Sequence, residues 1–526
     1  MKLSCRRPRP LSIALLAVLA TLTACDKPTP SAHAQASPTA APAAHAGIAW
    51  REGGLEAAFA EARDSGKPIL LYWGAAWCAP CNRLKATLFQ DPAFIAQTRH
   101  FVAVHLDGDA EGTLDWGERF GIKGYPTIIV LRSDRSEVTR LAGNSDTTRL
   151  ADVLRVVATS TTTVKQLLDK AQHAPQELSA DDWAVLGNYG WGMDDSLVKS
   201  GELPALLARL SERAPQPSLR RRFALAAIVA PEDPPTPSPA NRAVLEAILA
   251  DPAEVRANLS TLNYVPAWLV KAGSTDAGQR ASLSAKLDQA LDAVYADPGV
   301  PINDRLETAF AKIELARLAQ GQPTETAPKE PQPPLPAAVV ETVHQRVQTI
   351  VAAARTAEEH QSITDSAAAL LSEVGDSSGA EQLLLAEVGR SKTPYYYMPR
   401  LSQLAEERGD RKTALSWLKE NYATASSPVA RAQSGARYAD GLIRLSPEDS
   451  AAIEAVATQA IDALAAQSDA DRQRSRKRFA RLGSALKTWS KQHQQEGTAV
   501  LARLRQKMQA SSCGGKNTSE CTSWLS

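Results

Sequence analysis

The amino-acid sequence predicts an α/β domain close to the N-terminus, followed by a much larger all-α region. Between residues 55 and 158, short apolar runs typical of buried strands alternate with segments whose apolar residues recur at helical spacing. From Val164 onward strand patterns vanish, and alanine, leucine and arginine dominate one helical segment after another. We expect a mixed sheet in the α/β domain, because a strand–turn–strand pattern follows the alternating elements.

The elements of the α/β domain follow from their patterns in chain order. A helix is recognised by apolar residues three and four positions apart, and a buried strand by a short continuous apolar run. These patterns predict a helix over 55–66, a strand within 67–75, a helix opening at Cys78–Cys81 with Leu84 and Leu88 on one side, a strand within 100–109, a helix over 113–121, two strands joined by a turn within 125–143, and a helix over 144–158.

The first 25 residues predict an export signal. A basic start is followed by the apolar run Leu11–Leu22, which is too short to span a bilayer comfortably. The run ends in LTAC (22–25), which resembles a bacterial lipobox. That resemblance implies cleavage before Cys25 and a lipid on its sulfur and new N-terminus; the alternative is an ordinary signal peptide with a chance cysteine. Asp26 resembles an inner-membrane retention signal, so we expect a periplasmic protein that is lipid-anchored to a membrane, with the inner membrane favoured.

The rest of the sequence divides by composition. Residues 26–46 are rich in Pro, Ala, Ser and Thr and predict a flexible tether. A Pro-rich linker is predicted within the helical region. We therefore expect an α/β domain over 47–160, a helical domain over 161–320, the linker over 321–336, a second helical domain over 337–512 and a tail over 513–526.

Net charge gives little information about partners. It is +1 for the whole protein and near −3 once residues 1–24, with four basic and no acidic residues, are removed. This charge neither excludes nor suggests nucleic acid, and the predicted export argues against it, so we expect no nucleic-acid partner.

The six cysteines fall into two expected pairs once two of them are set aside. Cys5 would be lost with the signal, and Cys25 would carry lipid. In an oxidising compartment we expect a structural disulfide between Cys513 and Cys521, which are separated by seven residues. The alternative is a second exchange pair that feeds electrons to the remaining pair, Cys78–Cys81.

The pattern WCAPC (77–81), a later strand ending in Asp107, and FGIKGYPT (120–127) together resemble thioredoxin. The resemblance covers residues 48–158. The stretch GKPILLYWGAAWCAPC (66–81) is most similar to the thioredoxin-like domains of periplasmic thiol:disulfide interchange proteins. A CxxC motif alone would be a moderate signal, whereas CxxC followed by GYPT about 45 residues later is a strong one.

The resemblance implies a redox role for the cysteine pair. Cys78 would be the nucleophile, and we expect a lowered pKa for its thiol because a helix N-terminus offers free N–H donors and a positive dipole end. Cys81 would be the resolving thiol. Pro126 would be the cis-proline of the fold, which leaves the backbone of Tyr125 free to pair with an extended partner segment. Trp77 would shield the sulfurs and line the partner groove.

The sequence departs from thioredoxin near this pair. Thioredoxin has a buried Asp six residues before its first cysteine and a Lys that pairs with it, and here Tyr72 and Ala103 occupy those places. Lys85 stands where interchange-protein domains often have a Glu. Proton transfer must therefore use another group or water. We expect His105 to be a satisfied strand residue rather than a proton shuttle.

The stretch YMPRLSQLAEERGDRKTALSWLKENYATASSP (397–428) resembles one tetratricopeptide hairpin with Gly409-Asp410 as its turn. No clean 34-residue recurrence is found, so we expect helical hairpins of this type that offer a surface to partners. The alternative is a helical bundle that only packs against the redox domain. For Tyr395–Tyr397 we expect hairpin packing, with a binding strip as the alternative. Residues 472–481 predict a solvated basic face, with contact to anionic lipid or an acidic partner as the alternative.

These observations predict an exported enzyme that acts on protein disulfides. Reduction is the preferred direction, because an apolar Ala79 inside the motif resembles the reducing members, and an upstream membrane thiol donor would restore the dithiol. We expect no cofactor. No metal is expected either, because zinc needs four ligands, and Asn82 stands where a c-type haem motif has His. The alternatives are a structural disulfide, a thiol peroxidase, and a periplasmic helical-repeat scaffold that uses its thioredoxin fold as a docking module.

Overall fold

The computed structural model describes most of the residues that follow the predicted tether. Described are residues 47–526 except 109, 111–112, 143–146, 161, 194, 234–235, 323–332, 468, 512–522 and 526. The predicted signal and tether, Cys25, and the predicted tail disulfide between Cys513 and Cys521 lie outside the described residues. So does most of the predicted Pro-rich linker.

A five-stranded mixed sheet forms the centre of the α/β domain. The strands are β1 (Arg51–Glu52), β2 (Ile69–Gly74), β3 (Val102–Asp107), β4 (Thr127–Leu131) and β5 (Glu137–Ala142). Their order across the sheet is β1-β3-β2-β4-β5. The first three strands in this order are parallel, and β4 and β5 are each antiparallel to their neighbours. All six residues of β2 are buried, because this strand is central and both faces of the sheet are covered.

Five α-helices cover the two faces of this sheet. They are α1 (Leu55–Ser65), α2 (Ala79–Ala86), α3 (Pro92–Thr98), α4 (Thr113–Arg119) and α5 (Thr147–Val157), with a 3-10 turn at Leu88–Gln90. The expected helix after Cys78 is shorter than its apolar spacing suggests, because the backbone of Thr87 leaves the helical region and ends α2. Strand β1 and helix α3 were not predicted.

The remainder of the described structure is almost entirely helical. Its α-helices are α6 (Val164–His173), α7 (Ala180–Asn188), α8 (Leu203–Arg213), α9 (Pro217–Val229), α10 (Pro239–Leu249), α11 (Pro252–Ala257), α12 (Leu259–Tyr264), α13 (Pro266–Ala272), α14 (Ala277–Ala296), α15 (Ile302–Ala319), α16 (Ala337–Ala353), α17 (Ala357–Glu373), α18 (Ser377–Arg390), α19 (Met398–Glu407), α20 (Arg411–Thr424), α21 (Pro428–Leu445), α22 (Ser450–Ala465), α23 (Asp469–Gln492) and α24 (Gln494–Ala510). Short 3-10 turns lie at Pro175–Glu177, Ser200–Glu202, Pro394–Tyr396 and Ser523–Leu525. The predicted fold class, an α/β domain followed by a large all-α region, is confirmed.

Consecutive helices of this region pack as hairpins. The pair α19 and α20 is joined by Gly409, whose positive φ of 82° is the conformation that glycine adopts without strain. The side chain of Asp410 then caps α20 by accepting a hydrogen bond from the backbone N–H of Thr413 at 3.0 Å. Ala414 and Leu418 are buried between the two helices and their neighbours. In the described part of the protein, no helix is both long and apolar enough to cross a membrane.

The hydrophobic core on one side of the sheet continues into the helical region. Leu70, Cys81 and Ile128 belong to the same buried cluster as Trp183 of α7 and Phe223 of α9. The other side of the sheet has its own cluster beneath α1 and α4. The packing is therefore continuous from the α/β domain into the first helices that follow it, and the boundary at residue 160 stays a prediction.

Candidate functional site

The two cysteines of the motif are joined at the start of α2. Cys78 is the N-cap residue, with extended backbone, and it forms a disulfide with Cys81 across a Cα–Cα distance of 5.1 Å. The Cys78 Sγ also accepts a hydrogen bond from the backbone N–H of Cys81 at 3.2 Å. Pro80 lies in the first turn, where its missing N–H costs no hydrogen bond. The helix N-terminus is thus directed at the sulfur of Cys78, which favours a negative charge there.

A cis peptide bond lies beside this pair. The Tyr125–Pro126 bond is cis, which is the isomer that the resemblance implies. It immediately precedes β4, whose Thr127 pairs with Trp73 near the end of β2, and β2 leads into the cysteine motif. The ring of Tyr125 packs edge-on against Trp77 with centroids 6.0 Å apart. The structure therefore brings Trp77, Tyr125 and Pro126 to the same end of the sheet as the cysteines.

The interior behind the pair holds a neutral tyrosine in place of the aspartate of thioredoxin. Tyr72 stacks on His105 at 5.1 Å, and burial, reinforced by Asp107, raises the pKa of its phenol well above the ordinary value. Burial also lowers the pKa of Lys85, whereas Asp107, Glu358 and Glu52 act in the opposite direction. His105 is partnered: its Nδ1 lies 2.7 Å from a carboxylate oxygen of Glu52.

The helical region covers the cysteine pair. Helix α17 packs against α2, and the ring of Tyr396 stacks on Trp77 with centroids 5.5 Å apart and an interplanar angle of 18°. Cys78 is only 3% exposed and Cys81 is fully buried. Sequence reasoning missed this cover. The expectation of hairpin packing at Tyr395–Tyr397 holds for the buried Tyr397 and for Tyr396, which packs on Tyr397, but Tyr396 also stacks on Trp77 and so contributes to the cover.

A buried ion pair also joins α2 to the helical region. The guanidinium of Arg83 donates to Asp304 of α15 at 2.6 Å, and the Arg83 side chain is 4% exposed. A cavity of about 490 Å³ opens beside it, which we call the carboxylate cavity. Its lining includes Pro80, Arg83, Arg256, Asp304, Glu307 and Glu314. Burial, with Asp304 adding to it and Arg83 opposing it, raises the pKa of Glu307 to about 7. Burial likewise raises the pKa of Glu314 to about 7.

A second cavity, of about 910 Å³, lies on the Trp77 side of α2. We call it the arginine cavity, because its lining includes Arg400, Arg437, Arg444, Arg478 and Arg481 together with Trp77, Tyr395 and Tyr396. Arg478 and Arg481 belong to the basic stretch 472–481. The expectation of a solvated face holds for Arg481, which is exposed, whereas Arg478 is partly buried; both side chains line the cavity, since α23 packs on α21.

Comparison with known proteins identifies the family of the α/β domain. Residues 55–158 match the family model described as a thioredoxin-like domain. A thioredoxin of Alicyclobacillus acidocaldarius is 31% identical over 104 residues, which are 19% of this chain and 94% of that protein. The chain belongs to the thioredoxin-like family.

Two further relatives match the same thioredoxin-like domain. Thiol:disulfide interchange protein DsbD 1 of Pseudomonas aeruginosa is 33% identical over 109 residues, which are 20% of this chain and 18% of that protein. A thioredoxin H-type of Oryza sativa is 26% identical over 90 residues, which are 17% of this chain and 68% of that protein. This chain thus spans less than a fifth of the length of the interchange protein. The family and the cysteine pair support a thiol:disulfide oxidoreductase at the family level.

Proposed function

We propose that the protein is a thiol:disulfide oxidoreductase that reduces disulfides in other proteins through Cys78 and Cys81. The observation that carries the proposal is the Cys78–Cys81 pair at the N-terminus of α2 in a thioredoxin-like domain, beside a cis Tyr125–Pro126 bond. A pair in this position can alternate between dithiol and disulfide without rearranging the fold, because its Cα atoms are already 5.1 Å apart.

The reaction proceeds by two thiol–disulfide exchanges. In the reduced protein the Cys78 thiolate attacks one sulfur of the substrate disulfide, so that a mixed disulfide forms and the other substrate sulfur leaves as a thiolate. The Cys81 thiolate then attacks the Cys78 sulfur and releases the second substrate thiolate. The substrate gains two electrons and, in water, two protons, and Cys78 and Cys81 are left as the disulfide. A dithiol donor upstream then reduces the Cys78–Cys81 disulfide back to the dithiol.

The protein groups around the pair have distinct roles in this scheme. The N–H groups at the start of α2 stabilise the Cys78 thiolate. Trp77 and Tyr125 form the wall against which the substrate rests, and the backbone next to Pro126 offers it hydrogen bonds. Thioredoxin has a buried carboxylate at the position of Tyr72. Because Tyr72 stays neutral, the proton that Cys81 loses goes to water or to another group.

The cellular setting is part of the same proposal. The N-terminal signal pattern and Cys25 support export and lipid anchoring in the periplasm, with the upstream donor in the membrane. Cys513 and Cys521 are proposed to form a structural disulfide in the tail.

The experiment uses the mature protein without its lipid, reduced with dithiothreitol, desalted and mixed with insulin as the disulfide substrate. We expect stoichiometric reduction of insulin and none by Cys78→Ser. Cys81→Ser should accumulate a mixed disulfide, because the resolving thiol is missing. Reduction of insulin that survives in Cys78→Ser would exclude the proposed chemistry.

A second candidate function is a periplasmic scaffold in which the helical hairpins bind partners and the thioredoxin fold only docks. The burial of Cys78 and the stacking of Tyr396 on Trp77 favour it, because the helical region occupies the face that would receive a substrate. Affinity purification with the native protein and with Cys78→Ser distinguishes the two. A scaffold keeps the same partners in both, whereas an oxidoreductase loses its disulfide-linked partners in Cys78→Ser.

A further inference from the structure

The arginine cavity connects the redox site to the helical hairpins. At one end lies the half-buried ring of Trp77, directly before Cys78, with Tyr396 stacked on it. The remaining lining comes from α17, α19, α20, α21 and α23, and from Tyr395 in the 3-10 turn before α19. A ligand held in the cavity would therefore lie alongside Trp77, next to the residue that attacks the disulfide.

Most of the carboxylates that line the cavity already have partners. Glu406 and Asp440 both pair with Arg444, the second at 3.2 Å. Glu407 accepts a hydrogen bond from Gln403 at 2.8 Å. Burial raises the pKa of Asp365, and Arg400 partly opposes that rise. The acidic groups of the lining are thus engaged with their neighbours or disfavoured as anions.

Three arginines of the lining have no carboxylate paired with them in this way. Among the described residues, no carboxylate lies within ion-pair distance of Arg437, Arg478 or Arg481, although Asp440 is close enough to act weakly on Arg478. The guanidinium of Arg437 has one long hydrogen bond, to the side-chain oxygen of Asn421 at 3.4 Å. Burial first, and then the charges of Arg478 and Arg481, lower the pKa of Arg437 to about 10. The group still carries its charge at neutral pH, and an anion would relieve the repulsion.

We propose that the arginine cavity binds an acidic segment of the disulfide substrate, whose carboxylates pair with Arg437, Arg478 and Arg481 while the adjoining disulfide is presented beside Trp77. This inference rests on the proposed function. Guanidinium groups match carboxylates through paired hydrogen bonds, and partial burial strengthens such contacts. Stacked hairpins offer concave surfaces that suit an extended peptide. The volume of about 910 Å³ also exceeds what a single inorganic anion would need.

Two peptides test the proposal. Both carry the same intramolecular disulfide, and they differ only in a flanking run of Glu in one and of Gln in the other. The ratio of the second-order rate constants with which the dithiol protein reduces them measures the preference for acidic substrates. We expect a preference of roughly tenfold at low salt for the native protein and a ratio near one for Arg478→Gln/Arg481→Gln. The triple variant that adds Arg437→Gln should behave in the same way, and its unfolding temperature shows whether it still folds.

The matched control is Arg476→Gln/Lys477→Gln, which removes the same charge from two exposed positions of α23. It should keep the native ratio. An equal fall in this control, or a native ratio near one, would overturn the proposal. Turnover of glutathione disulfide with the same arginine dependence, combined with no peptide preference, would also overturn it and point to a small anionic disulfide instead.

Binding separates this proposal from the proposed function. Fluorescence anisotropy with the Cys78→Ser/Cys81→Ser protein reports peptide binding without chemistry. Binding of the Glu peptide that is lost in Arg478→Gln/Arg481→Gln supports the site even if the native protein reduces neither peptide, and in that case the oxidoreductase proposal fails alone. Reduction of both peptides at equal rates, with no selective binding, overturns the site and leaves the oxidoreductase intact.

Discussion

The two cavities beside α2 are built from the same kinds of side chain, but they balance charge differently. In the carboxylate cavity, Arg83 pairs with Asp304, and burial shifts Glu307 and Glu314 toward their neutral forms. In the arginine cavity, arginines such as Arg437 face one another without a carboxylate between them. The first cavity satisfies its own charges and joins the helical region to α2. In the second, Arg437, Arg478 and Arg481 have no carboxylate within ion-pair distance among the described residues, and this difference is why we assign structure to the first and binding to the second.

The largest effect on stability is expected when the ion pair beside the carboxylate cavity is removed. Arg83→Ala removes the buried guanidinium that pairs with Asp304, and loss of one half of a buried pair costs about 3 kcal/mol of unfolding free energy. Urea denaturation followed by tryptophan fluorescence measures it. Arg63→Ala, at an exposed position of α1, should change the same quantity by less than about 0.5 kcal/mol. Equal stability of the two variants would mean that the Arg83 pair does not join α2 to the helical region.

An intermediate effect is expected at the rim of the arginine cavity. Tyr396→Ala removes the ring that stacks on Trp77, and an aromatic pair contributes about 0.5–1.5 kcal/mol beyond its buried area. Opening of the cover should become easier, so iodoacetamide should alkylate Cys78 of the reduced protein roughly threefold to tenfold faster.

The control for that measurement is Tyr264→Ala, which alters a ring that is 85% exposed at the edge of the carboxylate cavity. It should leave the alkylation rate unchanged. If Tyr396→Ala also leaves the rate unchanged, Tyr396 does not restrict access to Cys78.

A further prediction concerns the pH dependence of stability. The pKa of Glu307 rises from 4.5 to about 7 in the folded protein, so folding favours its protonated form. The group costs no stability below about pH 4.5, and the cost grows as the pH rises toward 7. Glu307→Gln has no carboxyl group at this position, so the variant does not lose this stability as the pH rises. The unfolding temperatures of the two proteins should be equal near pH 4.5, and that of the variant should be the higher one above pH 7. Glu314 is present in both proteins, so its contribution cancels in the comparison. Plots of unfolding temperature against pH that stay parallel for the two proteins would show that folding does not raise the pKa of Glu307.

The sequence predicted the α/β domain well because its signals are local. The apolar runs of β2 and β3, the glycine that ends α1 and the motif around Cys78 each lie within a few residues. The break after Ala86 was missed because Leu84 and Leu88 fit a continuous helix, and only the backbone of Thr87 shows where the helix ends.

The cover over the redox site could not be predicted in the same way. Arg83 and Asp304 are 221 residues apart in the sequence, and Trp77 and Tyr396 even further. Contacts of that kind leave no periodicity in one sequence. The basic stretch 472–481 was noticed, but its pattern alone cannot tell a solvated face from the wall of a cavity.

The most direct test of the account is the redox equilibrium of the Cys78–Cys81 pair in glutathione buffers, measured on the mature protein without its lipid. We predict reversible exchange with a potential near that of thioredoxin, about −270 mV, which requires an upstream donor. A value near about −120 mV would contradict reduction as the direction and indicate an oxidant of folding proteins. A pair that never exchanges with glutathione, even in Tyr396→Ala, would contradict the oxidoreductase itself.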